Sequence, residues 1–518
     1  MKEAFPIIDS HFRILFSIIC GKDHYNRSRA KESCMQKEKA DMEEESDTGR
    51  IVKQKGDSDE KINIQEGHNL HGRQKSRLCF FIPFFRKGMN YIKGQPPGRI
   101  IAMGFAFVIL TGSFLLMLPC SVREGAQVSF IDALFTSASA VCVTGLIAID
   151  TAEHFTVFGR TVVALLIQIG GLGVTSVSVG FILIAGKRVG LKGRRLVREA
   201  MNVNTSKGMV RLVKNILLMT LCFECVGAVL SFLVFVRDYP PLEALGISLF
   251  HSVAAFNNSG FDILGGLTNL IPYQNNILLN LTTGGLIIFG GLGFLVILDI
   301  LGNRSFRKLT LHSKIVITMS LILLAAGTLS LKATENITWL GAFFQSVSAR
   351  TAGFSTYPIG SFTDDGLFVL ILLMFVGASP GSTGGGIKTT TLFVMIQAAR
   401  GAAANQYAGA FKRKIPDDVI RKAFIITFLS GMVVCVGTFV MCLLEPEFSF
   451  LQLLFEVTSA FGTVGLSTGI TPDLGIPGKA LIIMIMFIGR LGPLTIASLW
   501  AFKTTANARF TEENVTIG

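Results

Sequence analysis

Long apolar runs alternate with short polar connections along most of this chain. Runs of about 19 apolar residues, enough to cross roughly 30 Å of hydrocarbon as a helix, begin near residue 100 and continue almost to the C-terminus. They occupy eight segments: 100–118, 157–185, 216–236, 277–300, 315–331, 367–396, 424–444 and 480–502. The pattern predicts an all-α integral membrane protein with eight transmembrane spans in four pairs.

Between the two spans of every pair lies a short, Ser/Ala-rich stretch that ends in a glycine. The four stretches read FTSASAVCVTGL, FHSVAAFNNSGF, FQSVSARTAGF and FEVTSAFGTVGL, with their glycines at Gly145, Gly260, Gly353 and Gly465. Each is about half the length that crosses a bilayer. Irregular backbone at membrane depth is tolerated only where it is buried in protein or lines a water-filled cavity. We therefore expect four pseudo-repeats of helix, pore half-helix, filter loop and helix around one central pore.

Charged residues orient these repeats. Lys and Arg fill the connections between repeats, around 187–214, 304–314 and 412–422, whereas mostly acidic residues flank the glycine-ended stretches. By the positive-inside rule the connections are cytosolic and the glycines lie towards the outside. The expected organisation is a polar, disordered cytosolic tail (1–95), a membrane domain (96–505) and a cytosolic C-terminal tail (506–518). The repeats are expected at about 98–188, 209–304, 312–400 and 418–504.

Composition excludes several classes of protein. Half of the residues are hydrophobic, 16% are charged and the mean hydropathy is +0.54, which is not the composition of a soluble domain. The net charge of +13 is accounted for by membrane orientation and anionic lipid, so nucleic-acid binding is not expected. The nine cysteines lie in the tail or in apolar segments and predict no disulfide scaffold. No Ser/His/Asp, HExxH or paired-carboxylate set stands within the spans, so we do not expect an enzyme.

The chemistry of the glycine-ended stretches favours a monovalent cation. A half-helix that stops at membrane depth points unpaired carbonyls and a partial negative charge at the central axis. Four loops of this kind form a ring of carbonyl oxygens that can replace a potassium ion's hydration shell. The sequence has no ring of carboxylates for divalent cations. The predicted filter consists of four triplets: Val143, Thr144 and Gly145; Asn258, Ser259 and Gly260; Thr351, Ala352 and Gly353; Thr463, Val464 and Gly465.

These repeats and the motif GASPGSTGGGIKTTT closely resemble the Trk/Ktr/HKT superfamily of potassium transporters over about residues 96–505. Eight spans without an additional N-terminal hairpin resemble its KtrB-type potassium-translocating subunit. Sodium-favouring plant members have Ser in place of the first filter glycine, whereas this chain has Gly145. The resemblance implies potassium as substrate, sodium as activator or co-ion, and no resident cofactor. It also implies a homodimer, a cytosolic nucleotide-binding regulatory ring of the KtrA type, and a bacterial cytoplasmic membrane with both termini cytosolic.

The second span of the third repeat is interrupted by Pro380 and a run of glycines, which no continuous helix survives. The spacing resembles a phosphate-binding P-loop, but Lys388 comes one residue too late and no strand precedes it. In the resembling superfamily this segment is a loop that blocks the pore beneath the filter. Arg490 lies at the matching depth in the last span, where it serves either as a helix-to-helix hydrogen bond or as a positive charge that helps keep the gate closed or sets a barrier to cations. The predicted gate comprises Gly377, Pro380, Gly381, Ser382, Thr383, Gly384, Gly385, Gly386, Lys388 and Arg490.

Several further expectations can be checked in the structure. The motifs IGGLG, FGGLG and IGRLG, at 169–173, 289–293 and 488–492, are interpreted as close packing between helices. Arg350 and Glu456 are expected to pair behind the filter, while His251 is expected to be structural. The competing function is a sodium-coupled solute symporter, which predicts one or two broken spans and a solute pocket rather than four equivalent loops.

Overall fold

The computed structural model describes residues 95–184, 190, 193–194, 196–197, 208–303 and 305–498. Nearly all of the predicted N-terminal tail, the C-terminal tail and much of the first basic connection lie outside the described residues. Every described residue belongs to one compact unit.

Helices account for almost all regular structure in the described part of the chain. In chain order they are α1 (Pro97–Leu116), α2 (Phe130–Cys142), α3 (Thr151–His154), α4 (Val157–Leu172), α5 (Val174–Ile184), α6 (Met209–Phe235), α7 (Pro241–Phe256), α8 (Ile277–Leu292), α9 (Phe294–Asn303), α10 (Leu311–Thr334), α11 (Trp339–Ser348), α12 (Asp364–Phe375), α13 (Thr389–Ala403), α14 (Asp417–Leu444), α15 (Phe450–Gly462), α16 (Ile476–Leu491) and α17 (Pro493–Ser498). Three short 3₁₀ turns lie at Ile271–Tyr273, Phe306–Lys308 and Ile359–Ser361. An antiparallel hairpin pairs β1 (Gly409–Ala410) with β2 (Arg413–Lys414).

The first span of each repeat is one long apolar helix. These helices are α1, α6, α10 and α14, with mean hydropathy between 1.9 and 2.3 over their spanning windows. Only 28–39% of each window is buried within the protein. Large apolar side chains therefore face outwards, among them Phe107 and Phe439, as contact with lipid requires. The all-α membrane architecture predicted from the sequence is confirmed.

The second spans of the first, second and fourth repeats are also broken, in addition to that of the third repeat, where the sequence predicts an interruption. Helices α4 and α5 meet at a bend of 100°, and α8 and α9 at 95°. Within the described residues, four helices are long and apolar enough to cross a membrane alone, or six segments if each bent pair counts as one. The breaks fall at Gly173, Gly293 and Gly492, whose φ angles are 81°, 92° and 86°. A positive φ ends the helix and is accessible to glycine at little cost.

A glycine in each first span lets the half-helix and second span approach closely. Added Cβ atoms at Gly112, Gly227 and Gly327 would overlap a serine of the half-helix and a leucine of the second span. Those serines donate hydrogen bonds of 2.6–3.0 Å to backbone carbonyls of the first span. In the fourth repeat the neighbours of Gly437 are instead Val457 and Ile485. Each repeat thus packs as a unit of two spans around one half-helix.

The interior of the described part of the protein contains the four half-helices α2, α7, α11 and α15. Their aligned phenylalanines, Phe135, Phe250, Phe344 and Phe455, are at most 6% exposed. Burial of such a side chain contributes about 1.5–3 kcal/mol, so the sequence register anchors each half-helix at the same depth. The glycine-ended triplets that follow the half-helices consequently meet at one level.

Candidate functional site

Each half-helix is followed by a residue with left-handed backbone. Val143, Asn258, Thr351 and Thr463 have φ angles of 58°, 60°, 75° and 49°. They lie two residues before Gly145, Gly260, Gly353 and Gly465, whose φ angles are 87°, 64°, 80° and 93°. Left-handed backbone is rare for residues with a Cβ, and for β-branched residues it is an outlier. The same conformation in all four triplets shows that they are structurally equivalent.

The triplets close into a ring. A Cβ added at Gly145 would overlap the carbonyl oxygen of Ser259 in the second triplet, and one at Gly353 would overlap that of Val464 in the fourth. One at Gly465 would overlap the carbonyl of Thr144, which returns to the first triplet. At Gly260 the added atom would lie 2.8 Å from Ala352 O, still inside van der Waals contact. The order 1–2–3–4–1 is complete, and glycine is required at each junction.

Hydrogen bonds tie the amides of the triplets back to their own half-helices. The middle-residue amides of the first, second and fourth triplets bond back to Ser139 O, Ala254 O and Ser459 O at 2.8–2.9 Å. Ser139 and Ser459 also accept from the amides of Gly145 and Gly465 through their hydroxyls, at 3.0 and 3.1 Å. These hydrogen bonds fix the backbone of the triplets against their own half-helices.

The glycine-rich motifs of the second spans have two roles. Added Cβ atoms at Gly170, Gly290 and Gly489 would overlap the carbonyls of Val141, Phe256 and Phe461, at the ends of half-helices. The expected close packing therefore holds for these positions. It does not account for Gly173, Gly293 and Gly492, which break the spans, because a packing glycine and a helix-ending glycine look alike in sequence.

Residues 376–388 form the predicted interruption between α12 and α13, here called the intramembrane loop. Its ends are joined by a bridge between Val376 and Ile387. It bonds to backbone groups freed at the α8–α9 break. Ser379 N and Thr383 N donate to Gly291 O and Gly290 O at 3.0 and 3.3 Å, and Phe294 N donates to Gly381 O at 3.0 Å. The backbone groups left unpaired at the α8–α9 break therefore form hydrogen bonds with the backbone of the intramembrane loop.

The tip of the intramembrane loop lies against the first residues of two triplets. Added Cβ atoms at Gly384 and Gly385 would overlap the hydroxyls of Thr351 and Thr463. Lys388 Nζ donates to the carbonyls of both glycines, at 2.7 and 3.1 Å, which holds the tip folded. The loop therefore lies next to the ring on the side where the half-helices end.

Arg490 connects this loop to two other repeats. Its guanidinium donates to Thr383 O in the loop and to Gly170 O in the first repeat. Arg490 therefore contacts the loop, while its part in gating stays a prediction. Both acceptors are main-chain carbonyls, so the arginine is held by dipoles in the interior of the protein.

The predicted pair between Arg350 and Glu456 is wrong. Arg350 donates to the carbonyl and hydroxyl of Ser320, at 3.0 and 3.3 Å, while Glu456 accepts from residues that follow its own triplet. Each finds closer partners within its own repeat. His251 bonds Thr283 Oγ1 at 2.8 Å and packs against Phe235 and Phe354, in agreement with a structural role.

Asn269 was missed by sequence reasoning. Its amide donates at 3.1 Å to Gly260 O and to Asp262 Oδ2, and its oxygen accepts from Ser355 N at 3.1 Å. One side chain therefore joins the second triplet to the segment that follows the third. Nothing in the repeat pattern marks Asn269, because the other repeats have no counterpart in register.

A second missed contact joins the last repeat to the first. Lys479 Nζ lies 2.9 Å from Asp132 Oδ1, and these side chains are only 11% and 17% exposed. They join the start of α16 to the start of α2. A separation of 347 residues leaves no local signal for such a pair.

Comparison with known proteins decides the family. The family profile described as TrkH, cation transport protein, matches residues 97–508. The chain belongs to the TrkH family of cation transport proteins. This range contains all four triplets and the intramembrane loop.

Curated relatives match over almost their whole length. The Ktr system potassium uptake protein B of Bacillus subtilis (strain 168) is 40% identical, covering 83% of this chain and 99% of the relative. The potassium/sodium uptake protein NtpJ of Enterococcus hirae is 38% identical, covering 82% and 98%. Ktr system potassium uptake protein B of Vibrio alginolyticus is 36% identical, covering 85% and 99%.

A solved structure shows the same fold. The potassium transporter TrkH from Vibrio parahaemolyticus superposes with a TM-score of 0.63 at 19% identity, covering 82% of this chain and 90% of that one. The chain is thus a multi-pass membrane protein of a transporter family, as predicted, and the family is not one of enzymes.

Proposed function

We propose that this chain takes up potassium across a bacterial cytoplasmic membrane through the ring of four triplets. The observation that carries the proposal is the closed 1–2–3–4–1 order of the glycine junctions. Neutral carbonyl dipoles at the ends of four half-helices suit a weakly hydrated monovalent cation. The names of the relatives, which include potassium uptake proteins and one potassium/sodium uptake protein, support potassium as the substrate.

The intramembrane loop is proposed as the gate. Its tip, formed by Gly384 and Gly385, contacts side chains of the third and fourth triplets, where a passing ion would leave the ring. Arg490 and Lys388 hold this loop by hydrogen bonds to its carbonyls. Because these contacts and those to the α8–α9 break are hydrogen bonds, the loop can be displaced without unfolding the spans.

The membrane potential supplies the driving force in this proposal. One elementary charge gains about 2.3 kcal/mol per 100 mV, which corresponds to roughly a 50-fold accumulation. Uptake therefore needs no ATP-hydrolysing site within the chain.

Sodium is proposed as activator or co-ion. A homodimer with cytosolic termini and a nucleotide-binding regulatory ring of the KtrA type complete the proposal. The relatives' description as parts of a Ktr system supports a partner of this kind.

The test is potassium uptake by a bacterial strain that lacks its own high-affinity uptake systems. Cells expressing this chain, with and without a KtrA-type regulator and with and without sodium, should accumulate potassium from micromolar concentrations. An inserted, folded protein that supports no uptake under all four conditions would refute the proposal. Accumulation of an organic solute instead would favour the sodium-coupled symporter, which the four equivalent triplets and the cation-transport family make the weaker candidate.

A further inference from the structure

One position of every half-helix lies directly behind the ring. It stands nine residues before the glycine in the first, second and fourth repeats and eight residues before it in the shorter third repeat. Its occupants are Thr136, His251, Gln345 and Glu456. All four are at most 3% exposed. Buried polar side chains require hydrogen-bond partners. The partners at this position show which half-helix side chains bond to the loop that follows their own triplet.

Glu456 has the largest set of partners in its own loop. Its Oε1 accepts from Ser467 Oγ at 2.6 Å and from Thr468 N at 3.0 Å. Its Oε2 accepts from Thr471 Oγ1 at 2.9 Å. Ser467 in turn accepts from Gly469 N at 2.8 Å. One carboxyl group therefore organises the segment 467–471, which directly follows Gly465.

The equivalent residues do less for their loops. Gln345 donates one hydrogen bond of 3.1 Å, to Ser355 Oγ, the residue that corresponds to Ser467. His251 contacts Thr283 on α8 rather than its own loop. The fourth triplet is thus held from both ends, because Ser459 accepts from Gly465 N and Glu456 holds the segment beyond it.

Burying a carboxyl group is costly unless its oxygens are satisfied. In the described residues Glu456 forms no ion pair, and the arginine of the neighbouring half-helix, Arg350, bonds Ser320 instead. Packing alone is served better by an apolar side chain of similar size. The carboxyl group of Glu456 is therefore explained by the loop that it holds in place rather than by a gain in stability.

We propose that Glu456 is a specificity-determining positioning residue that clamps the fourth loop and thereby fixes the Val464 carbonyl against Gly353. The inference rests on the proposed function, since it concerns discrimination between potassium and sodium. Carbonyls held at a fixed spacing favour the larger ion, whereas a loosened loop closes around sodium. Because Oε1 accepts from three of the four donors, a glutamine that retains this oxygen should retain the clamp.

The experiment compares Glu456→Leu and Glu456→Gln in competitive potassium and sodium uptake. Glu456→Leu should lower the potassium/sodium ratio about tenfold, the effect of roughly one lost charge-assisted hydrogen bond. Glu456→Gln should keep the ratio within about twofold of the original chain. Thr458→Val is the matched control, because Thr458 lies buried on the same half-helix and its hydroxyl has no hydrogen-bond partner among the described residues.

The outcomes separate this inference from the proposed function. An unaltered chain that transports potassium, together with an unchanged ratio in Glu456→Leu, would overturn only the role of Glu456. Equal losses in the Leu and Gln variants would also overturn it, because the clamp would not act through the shared oxygen. If Glu456→Leu fails to insert, Thr471→Val removes one donor and should lower the ratio about threefold; an unchanged ratio there would refute the clamp.

Discussion

Four residues with side chains are held in left-handed backbone around the ring. Such conformations cost about 1–3 kcal/mol each and persist where the surroundings determine them. Val143, Asn258, Thr351 and Thr463 share them, although only Asn adopts this region readily. The backbone is therefore constrained at the same place in every repeat, which is the arrangement expected where carbonyl direction determines function.

Gly145→Ser should lower the preference for potassium over sodium by about tenfold. The new Cβ would overlap Ser259 O and would impose strain at a φ of 87°, costing about 1–3 kcal/mol. Competitive uptake of the two ions measures the ratio. Gly246→Ser is the control, since Gly246 lies on half-helix α7 with open space around it. An unchanged ratio in Gly145→Ser would remove Gly145 from the ion pathway.

The broken second spans and the intramembrane loop form one hydrogen-bonded assembly. The α8–α9 break offers carbonyls and an amide to the loop, and Arg490 adds a donor from the last span. Helix ends buried in a membrane protein need such partners. We expect the stability of the closed loop to depend on the break as well as on the loop's own sequence.

Deleting residues 382–385 should raise potassium flux several-fold and reduce dependence on a regulator. The deletion removes the tip that contacts Thr351 and Thr463 but leaves the triplets in place, so selectivity should persist. Radioactive rubidium influx into cells of matched expression measures the rate. Loss of flux in an inserted, folded variant would show that the loop is part of the conducting structure rather than a gate.

Arg490→Ala should also increase flux, by less than the deletion, because it removes one anchor and leaves the loop in position. Combining the two changes should give a non-additive effect, since the arginine bonds the deleted Thr383. A decrease by the same factor with and without the loop would assign Arg490 to packing.

Gly293→Ala tests the helix break directly. Its Cβ would lie 2.7 Å from Pro380 O and would push the loop away, so flux should rise. Gly173→Ala carries the same backbone strain at a φ of 81°, with nothing within 4 Å, and should leave gating unchanged. If both variants raise flux equally, the effect comes from strain in the bent spans and not from the loop.

Sequence reasoning identified the elements that repeat and missed those that do not. The half-helices, their glycines and the interrupted span are recognisable because spacing and composition recur. The breaks at Gly173 and Gly293 were misinterpreted, since a helix-ending glycine differs from a packing glycine only in φ. The prediction that Arg350 pairs with Glu456 was wrong because it rested on opposite charge alone. Each side chain has hydroxyl or backbone partners in its own repeat, which the charges do not reveal. Asn269 and the Lys479–Asp132 pair depend on tertiary contacts alone.

At the scale of the whole protein, a few long-range contacts join the fourth repeat to the first. Gly465 meets Thr144 in the ring, Arg490 reaches Gly170, and Lys479 pairs with Asp132. These contacts join the ends of a membrane domain of some 400 residues. Loss of any one should loosen the ring without breaking a helix.

Lys479→Met should destabilise the protein by about 3 kcal/mol, because it leaves the partly buried carboxylate of Asp132 without its cation. Thermal unfolding in detergent measures the shift. The double variant Lys479→Met with Asp132→Leu should recover much of the loss, since no unpaired charge remains. If the two single losses simply add in the double variant, the pair contributes nothing to closure.

The most direct measurement of the central claim is ion flux through the purified protein in liposomes under an imposed membrane potential. Potassium should enter faster than sodium, with the ratio reduced in Gly145→Ser and preserved when residues 382–385 are deleted. Equal entry of both ions would contradict the assignment of selectivity to the ring of four triplets. A potassium/sodium ratio that changes when residues 382–385 are deleted, but not in Gly145→Ser, would contradict it as well.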